Sequence, residues 1–382
     1  MDFIDLAAQQ RRIPETLNAS IARVFAHGQY VNGPEVRELE ATLAGYVGAK
    51  HAVGCASGTD ALLMALMAFG IGPGDAVFTT PFTFVATAEV VGLLGATPVF
   101  VDIDPATFNI DPAKLEQAME AVEKGDPALH PLPGAFCGKL RPRAVIPVDL
   151  FGLPADYDAI EAVAARRVIA VIEDAAQSFG GEYKGRKAGS FGAIACTSFF
   201  PAKPLGCYGD GGMCFTDDDR FVGLLRSIRN HGQGSDKYEN IRIGINGRLD
   251  TLQASILLAK FAIFPEEIDL RREVARRYNE LLTGSVKTPE IPEGCKSAWA
   301  QYSILAQDSE ERSSLIAKLK KAGIPTAIYY PKPLHRQTAF SCLGYKEGDF
   351  PVSEDCAQRI FSLPMHPYLT AGDQRRIAAL FQ

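Results

Sequence analysis

A lysine set among apolar and ring-constrained neighbours, a carboxylate directly after an apolar run, and a small-residue turn ahead of an apolar helix are the three places where this chain could do chemistry. Ala56-Ser57-Gly58-Thr59-Asp60 stands between the short run 53–55 and an apolar helical stretch over 60–69. Small residues let a backbone approach an anion closely, and a helix N-terminus offers free N–H groups and the positive end of its dipole. The same residues also suit an ordinary helix cap. Glu173-Asp174-Ala175-Ala176-Gln177 follows the apolar run 168–172. In an open α/β sheet ligands sit at the carboxyl ends of strands, where a carboxylate can hold positive charge on a heteroaromatic ring; a helix cap is again the plainer use. In Ser198-Phe199-Phe200-Pro201-Ala202-Lys203-Pro204-Leu205-Gly206 the lysine lies outside any charged helical face. Desolvated there, it would have a lowered pKa and act as a nucleophile; exposed, it would be one more surface lysine beside a proline.

Together the three describe what pyridoxal phosphate (PLP) requires: an anion cradle for the phosphate, a carboxylate to keep the ring nitrogen protonated, and a lysine to hold the aldehyde as an imine. They follow one another along the chain as cradle, Asp174 and Lys203.

The elements that must position these residues read as α/β. Between residues 52 and 215, short apolar runs at 53–55, 76–79, 98–103, 144–147 and 168–172 alternate with helical sequence, which suits a mainly parallel sheet covered on both faces. Pro34 opens an earlier helix with Val36, Leu39, Leu43 and Tyr46 on one face. Residues 123–143, rich in Pro and Gly, read as a surface excursion before the next strand. After Arg248 the texture changes: an apolar helix over 249–264, a charged one over 266–282, a strand over 298–305, a helix over 310–322 and a strand over 325–329. The expected organisation is a large domain over 1–255, including an N-terminal helical segment, and a smaller α+β domain over 256–382.

Other chemistries lose support. With 39 Lys and Arg against 45 Asp and Glu, the net charge is −6, which disfavours a nucleic-acid polymer as partner. No Gly-x-Gly-x-x-Gly follows an early strand and no Walker-type loop occurs. The six histidines show no metal-ligand spacing, so no metal is expected. The eight cysteines are scattered, without any Cys-x-x-Cys pair, and read as thiols of a reducing compartment. The first residues lack the apolar core of a signal peptide, and no apolar stretch is long enough to span a bilayer; the expectation is a cytoplasmic protein without a membrane segment.

At this point the sequence resembles the PLP-dependent sugar-nucleotide aminotransferases of the DegT/DnrJ/StrS type, nearly end to end. The resemblance is carried by Gly33-Pro34-Glu35-Val36, the runs 56–62 and 81–88, Glu173–Gln177, Ser198–Lys203, and Gly244-Ile245-Asn246-Gly247-Arg248-Leu249-Asp250. It implies an aspartate-aminotransferase-like fold (PLP fold type I), with a large seven-stranded-type, mainly parallel sheet and a smaller C-terminal α+β domain, working as a homodimer with shared active sites. It implies that Lys203 forms the imine with PLP, Asp174 pairs with the ring nitrogen, Gln177 lies near the phenolic oxygen, and Phe84 stacks on the ring. Gly58, Thr59 and Ser198 would bind the phosphate, joined by Asn246 from the partner subunit, and Arg248 would meet the substrate from that same subunit.

Two departures stand out: Asp149 occupies a position where the family often has His, and the 123–143 stretch is longer than the usual connection. The implied reaction is a two-stage transamination from L-glutamate to the keto sugar of a nucleoside diphosphate. Segments around Arg229, Arg248, Tyr330, His335 and 363–369 look most like the subgroup acting on a UDP-linked 2-acetamido-3-keto-glucuronic acid for polysaccharide or O-antigen assembly. Arg229 and Arg248 are the candidate cations for the sugar carboxylate, with a helix cap the other use of Arg229; Tyr330 and His335 complete the expected substrate set. A dTDP- or GDP-linked keto-deoxysugar is the alternative substrate, and a non-catalytic regulatory protein of the same fold is the alternative of another class.

Overall fold

A computed structural model describes residues 1–134, 139–236 and 238–382. Two helices, α1 (Leu6–Arg12) and α2 (Pro14–His27), lead into α3 (Pro34–Val47), whose N1 proline and buried Val36, Leu39 and Leu43 match the apolar face read from the sequence. The main sheet has seven strands: β1 (His51–Cys55), β2 (Asp75–Thr79), β3 (Thr97–Phe100), β4 (Arg141–Ile146), β5 (Ala170–Asp174), β6 (Ile194–Ser198) and β7 (Gly212–Thr216). Their order is β1-β7-β6-β5-β4-β2-β3, and β7 alone runs antiparallel to its neighbours. Its strands are buried almost throughout, as expected of a sheet covered on both faces.

The covering helices are α4 (Gly58–Ala68), α5 (Ala86–Leu93), α6 (Pro112–Lys124), α7 (Tyr157–Arg167) and α8 (Asp219–Arg229). Val168 ends α7 in the left-handed region (φ 55°), so β5 starts two residues later than the apolar run suggests. The consequence is functional, because Asp174 becomes the last residue of a parallel strand.

The apolar helix expected over 249–264 is α9 (Thr251–Phe261), and the charged one is α10 (Phe264–Leu282). Pro265 in the first turn of α10 separates them, since it has no N–H with which to continue the hydrogen-bond ladder of α9. The expected domain boundary at 255 therefore falls inside α9, which packs against α2 and α3. The C-terminal lobe adds α11 (Ser309–Lys321), α12 (Pro351–Arg359) and α13 (Ala371–Ala378) around a hairpin-like pair, β8 (Tyr302–Leu305) and β9 (Ile360–Leu363). The strand expected over 325–329 reduces to one bridge, Ala327 to Ser362; Pro325 has no N–H to give a ladder.

The excursion expected over 123–143 is shorter and less superficial than predicted. Helix α6 runs to Lys124 and β4 begins at Arg141, while His130 between them is buried, its Nε2 2.7 Å from the Phe100 carbonyl oxygen. The Gly134 N–H donates to the Leu343 carbonyl at 2.8 Å, tying this stretch to the C-terminal lobe. Cys137 and Gly138 lie outside the described residues, and the seven described cysteines are unpaired. No described helix is long and apolar enough to cross a membrane.

Candidate active site

The carboxyl ends of the parallel strands bring the three segments together. β1 ends at Cys55 and α4 starts at Gly58, with Ser57 as its N-cap: Ser57 Oγ accepts the Asp60 N–H at 3.0 Å. Ser198 ends β6 directly beside this turn. A Cβ at Gly58 would stand 2.6 Å from Ser198 Cβ, and one at Gly212, the first residue of β7, would stand 2.3 Å from the Ser57 carbonyl oxygen. Backbones this close leave room only for glycine and create a concavity at a helix N-terminus with Ser198 at its rim, the chemistry that suits a phosphate. Gly58→Ala is expected to raise the dissociation constant of PLP by about tenfold or more, a loss of about 1.4 kcal/mol; titration of the apoenzyme with PLP checks it.

Asp174 is buried at the end of β5. Thr87 Oγ1 donates to its Oδ2 at 2.9 Å, and the Ala176 N–H to its Oδ1 at 3.2 Å. Burial raises the Asp174 pKa, while these two donors and the charge of Lys203 pull it back. Lys203 sits in the turn after β6, its N–H donating to the Phe200 carbonyl at 2.8 Å. Desolvation lowers its ammonium pKa below the ordinary lysine value, and Asp174 opposes that shift. A carboxylate whose desolvation a ring cation would relieve and an amine pushed toward its neutral form fit PLP on the cradle described above.

Gln177 is fixed from both ends of its amide. The Phe151 N–H donates to its Oε1 at 2.8 Å, and its Nε2 donates to the Tyr330 hydroxyl at 3.2 Å. Tyr330, expected as a substrate residue, is thus joined to Gln177, expected at the cofactor, and packs edge-on against Phe82. Thr87 and Phe151 were not singled out in the sequence. The run 81–88 contained Thr87, but only the fold shows that the first turn of α5 faces Asp174.

Asp149 lies behind this floor and is fully buried. It accepts from Tyr157 Oη (2.7 Å), the Ala155 N–H (2.9 Å) and Ser178 Oγ (2.6 Å), so it holds the turn that carries Gln177. Burial raises its carboxyl to about 6, and its buried neighbour Glu173 is raised as well, by burial first and by Asp149 second. A folded-state pKa above the unfolded one contributes stability that is full below the ordinary carboxylate range and is lost as pH rises through about 6. Asp149→Asn is therefore expected to gain melting temperature relative to wild type as pH rises from about 4 to about 6; parallel melts across that range check it.

Of the remaining expected residues, Phe84 is 55% exposed just ahead of α5, and Asn246 is exposed on the strip that runs beside β1. Arg248 lies on the same strip, bridged to Cys55. Two expectations need correction. Arg229 is buried, and its Nη1 is committed to Glu40 Oε1 at 2.7 Å and the Gly54 carbonyl at 2.6 Å, contacts inside the fold and not with the end of α8. His335 is buried too, its Nε2 2.8 Å from Glu354 Oε1 and its ring against Phe350, an internal contact between segments of the C-terminal lobe.

The profile of the DegT/DnrJ/EryC1/StrS aminotransferase family matches residues 11–382. The UDP-2-acetamido-2-deoxy-3-oxo-D-glucuronate aminotransferase of Pseudomonas aeruginosa is 50% identical over 380 residues, 99% of either chain. A solved DegT/DnrJ/EryC1/StrS aminotransferase from Brucella abortus is 52% identical with a TM-score of 0.94, covering 100% of this chain and 98% of its own. The NtdA protein of Bacillus subtilis, solved with bound cofactor PMP, is 28% identical with a TM-score of 0.85, covering 97% of this chain and 81% of its own.

Proposed function

Because this chain belongs to the DegT/DnrJ/EryC1/StrS aminotransferase family, and so is a PLP-dependent aminotransferase, we propose that it moves the amino group of L-glutamate onto C3 of a UDP-linked 2-acetamido-3-keto-glucuronic acid. The observation that carries the transamination is the placement of Lys203, in the turn after β6, near the buried Asp174 that ends the neighbouring parallel strand β5, each group feeling the other's charge. The choice of sugar rests on the 50% identity to the Pseudomonas enzyme over nearly the whole chain.

When bound, PLP supplies an aldehyde for imine exchange with amines and a ring that accepts electrons. Gly58, Thr59 and Ser198 would hold its phosphate, Asp174 its ring nitrogen and Gln177 its phenolic oxygen, with Phe84 over one face. Lys203 Nζ would be the nucleophile toward the aldehyde and, once free, the base that takes the donor's α-proton; desolvation lowers its pKa and so favours the neutral amine that both roles need. Thr87 keeps the Asp174 carboxylate aimed, and Phe151 and Tyr330 keep the Gln177 amide from turning.

The protein acts as a homodimer in this reading. Asn246 and Arg248 serve the partner's site, Asn246 at the phosphate and Arg248 at the sugar carboxylate. Exposed apolar side chains at Phe84, Phe200 and Ile243, in the same segments as the site residues, suit a covered face. The amino sugar would enter polysaccharide or O-antigen assembly, and the unpaired cysteines suit the reducing cytoplasm.

The test is a panel. Enzyme with L-glutamate is offered the UDP-3-keto-uronate and dTDP- and GDP-linked 3- and 4-keto-deoxysugars. The proposal expects kcat/KM at least about 100-fold higher for the UDP-3-keto-uronate, the discrimination a site gains by pairing a substrate's polar group. Product from a deoxysugar nucleotide and none from the uronate would overturn it.

A further inference from the structure

Arg229, at the end of α8, closes a buried knot. Its Nη1 donates to Glu40 Oε1 (2.7 Å) and to the Gly54 carbonyl (2.6 Å), and Glu40 Oε1 also accepts the Gly54 N–H (2.9 Å). One arginine and one glutamate thereby join α3, β1 and α8. The strip carrying Asn246 and Arg248 hangs from the same knot. The Gly247 N–H donates to the Arg229 carbonyl at 3.0 Å, and the Gly247 carbonyl accepts the Ala56 N–H, at the start of the cradle turn, at 3.0 Å. The Ile245 N–H donates to the Ile228 carbonyl at 2.8 Å, while isolated bridges join Asn230 to Asn246 and Cys55 to Arg248. Among the described residues the strip has no helix or ladder of its own; apart from the Val31–Asp250 bridge at its end, the α8 end and the β1 end pin its register.

We propose that the buried Glu40–Arg229 ion pair is a positioning device that fixes Asn246 and Arg248 for the cofactor phosphate and the anionic sugar; Arg229 acts through the strip and touches neither ligand. The inference rests on the shared-site reading above. A buried ion pair adds little net stability compared with an apolar pair, and fixing a register is its best-attested use. Arginine suits the task because its planar, permanently charged fork serves a carboxylate and a carbonyl together.

Arg229→Gln alone would leave the buried Glu40 with only the half-exposed Arg226, 3.8 Å away, as ionic partner, so the informative protein is Glu40→Gln/Arg229→Gln, which strands no buried charge; thermal melting checks that it folds. In this holoenzyme the expected result is a rise of about tenfold or more in both the PLP dissociation constant and the KM for the UDP-keto sugar. The glutamate half-reaction at saturating PLP should stay within about twofold of wild type, because Lys203 and Asp174 are untouched. Subunit mixing separates this inference from its premise. Arg248→Ala refolded together with Lys203→Ala should regain activity, since one hybrid site has both Lys203 and the partner contribution intact; the double variant mixed with Lys203→Ala should regain it as well. Regain with Arg248→Ala combined with an unchanged KM and PLP affinity in the double variant would overturn the positioning role alone. Failure of the Arg248→Ala mixture would overturn the shared site, and the positioning role with it.

Discussion

Lys203→Ala is expected to lower turnover by about 10⁴-fold or more, because in the proposed mechanism one substitution removes both the nucleophile that exchanges with the donor and the base that moves its proton. Among the described residues the buried lysine of this region, Lys260, does not replace it: its pKa is lowered to about 8, but its amine is bound to the Gly206 carbonyl and lies over the Tyr208 ring. Folding should survive, since the Lys203 side chain is only partly buried, the Phe200 carbonyl is bonded by the backbone N–H of residue 203, and that bond remains with alanine. The check is steady-state turnover alongside the visible absorbance of the lysine-linked cofactor, which the variant should lack. An added primary amine should restore part of the rate if loss of the amine is the whole defect.

Asp174→Asn is expected to cost about 10²–10³-fold in the glutamate half-reaction, the range seen when one preorganised electrostatic group is removed from a reacting centre. The substitution is nearly isosteric. An asparagine oxygen still accepts from Thr87 Oγ1, and although the amide nitrogen gives up the longer bond from the Ala176 N–H, the end of β5 and the first turn of α5 should stay in register. In the proposed role, what disappears is the charge that would hold a proton on the ring nitrogen, and with it much of the ring's capacity to accept electrons. Asp174→Glu should recover part of the rate only if the longer side chain still reaches, so single-turnover kinetics of both variants separate charge from placement. A half-reaction in Asp174→Asn within threefold of wild type would leave Asp174 without the assigned role.

Much of this site was legible before any fold was known, because its parts are local. Gly58 beside a Ser N-cap, Asp174 after an apolar strand and Lys203 between Ala202 and Pro204 each announce their surroundings through their immediate neighbours. The alternation of strands and helices gave the mainly parallel sheet, although Val168 in the left-handed region moved β5 and placed Asp174 at the strand's end instead of beyond it. What misled was distance along the chain. Arg229 looked like a free cation because its partner Glu40 is 189 residues away, and His335 looked like a substrate residue because Glu354, on α12, becomes its neighbour only when the lobe folds. The supporting partners of the site, Thr87 for Asp174 and Tyr330 for Gln177, were hidden for the same reason, joining residues 87 and 153 positions apart. Arg248 is partly exposed on its strip and shows no comparable buried commitment among the described residues.

The most direct measurement is a single turnover without any sugar: holoenzyme mixed with excess L-glutamate, followed by visible absorbance and by 2-oxoglutarate released. The account predicts about one 2-oxoglutarate per chain together with loss of the lysine-linked absorbance, the half-reaction of a ping-pong cycle, and neither signal in Lys203→Ala. Release of no 2-oxoglutarate, or equal release from wild type and Lys203→Ala, would contradict it.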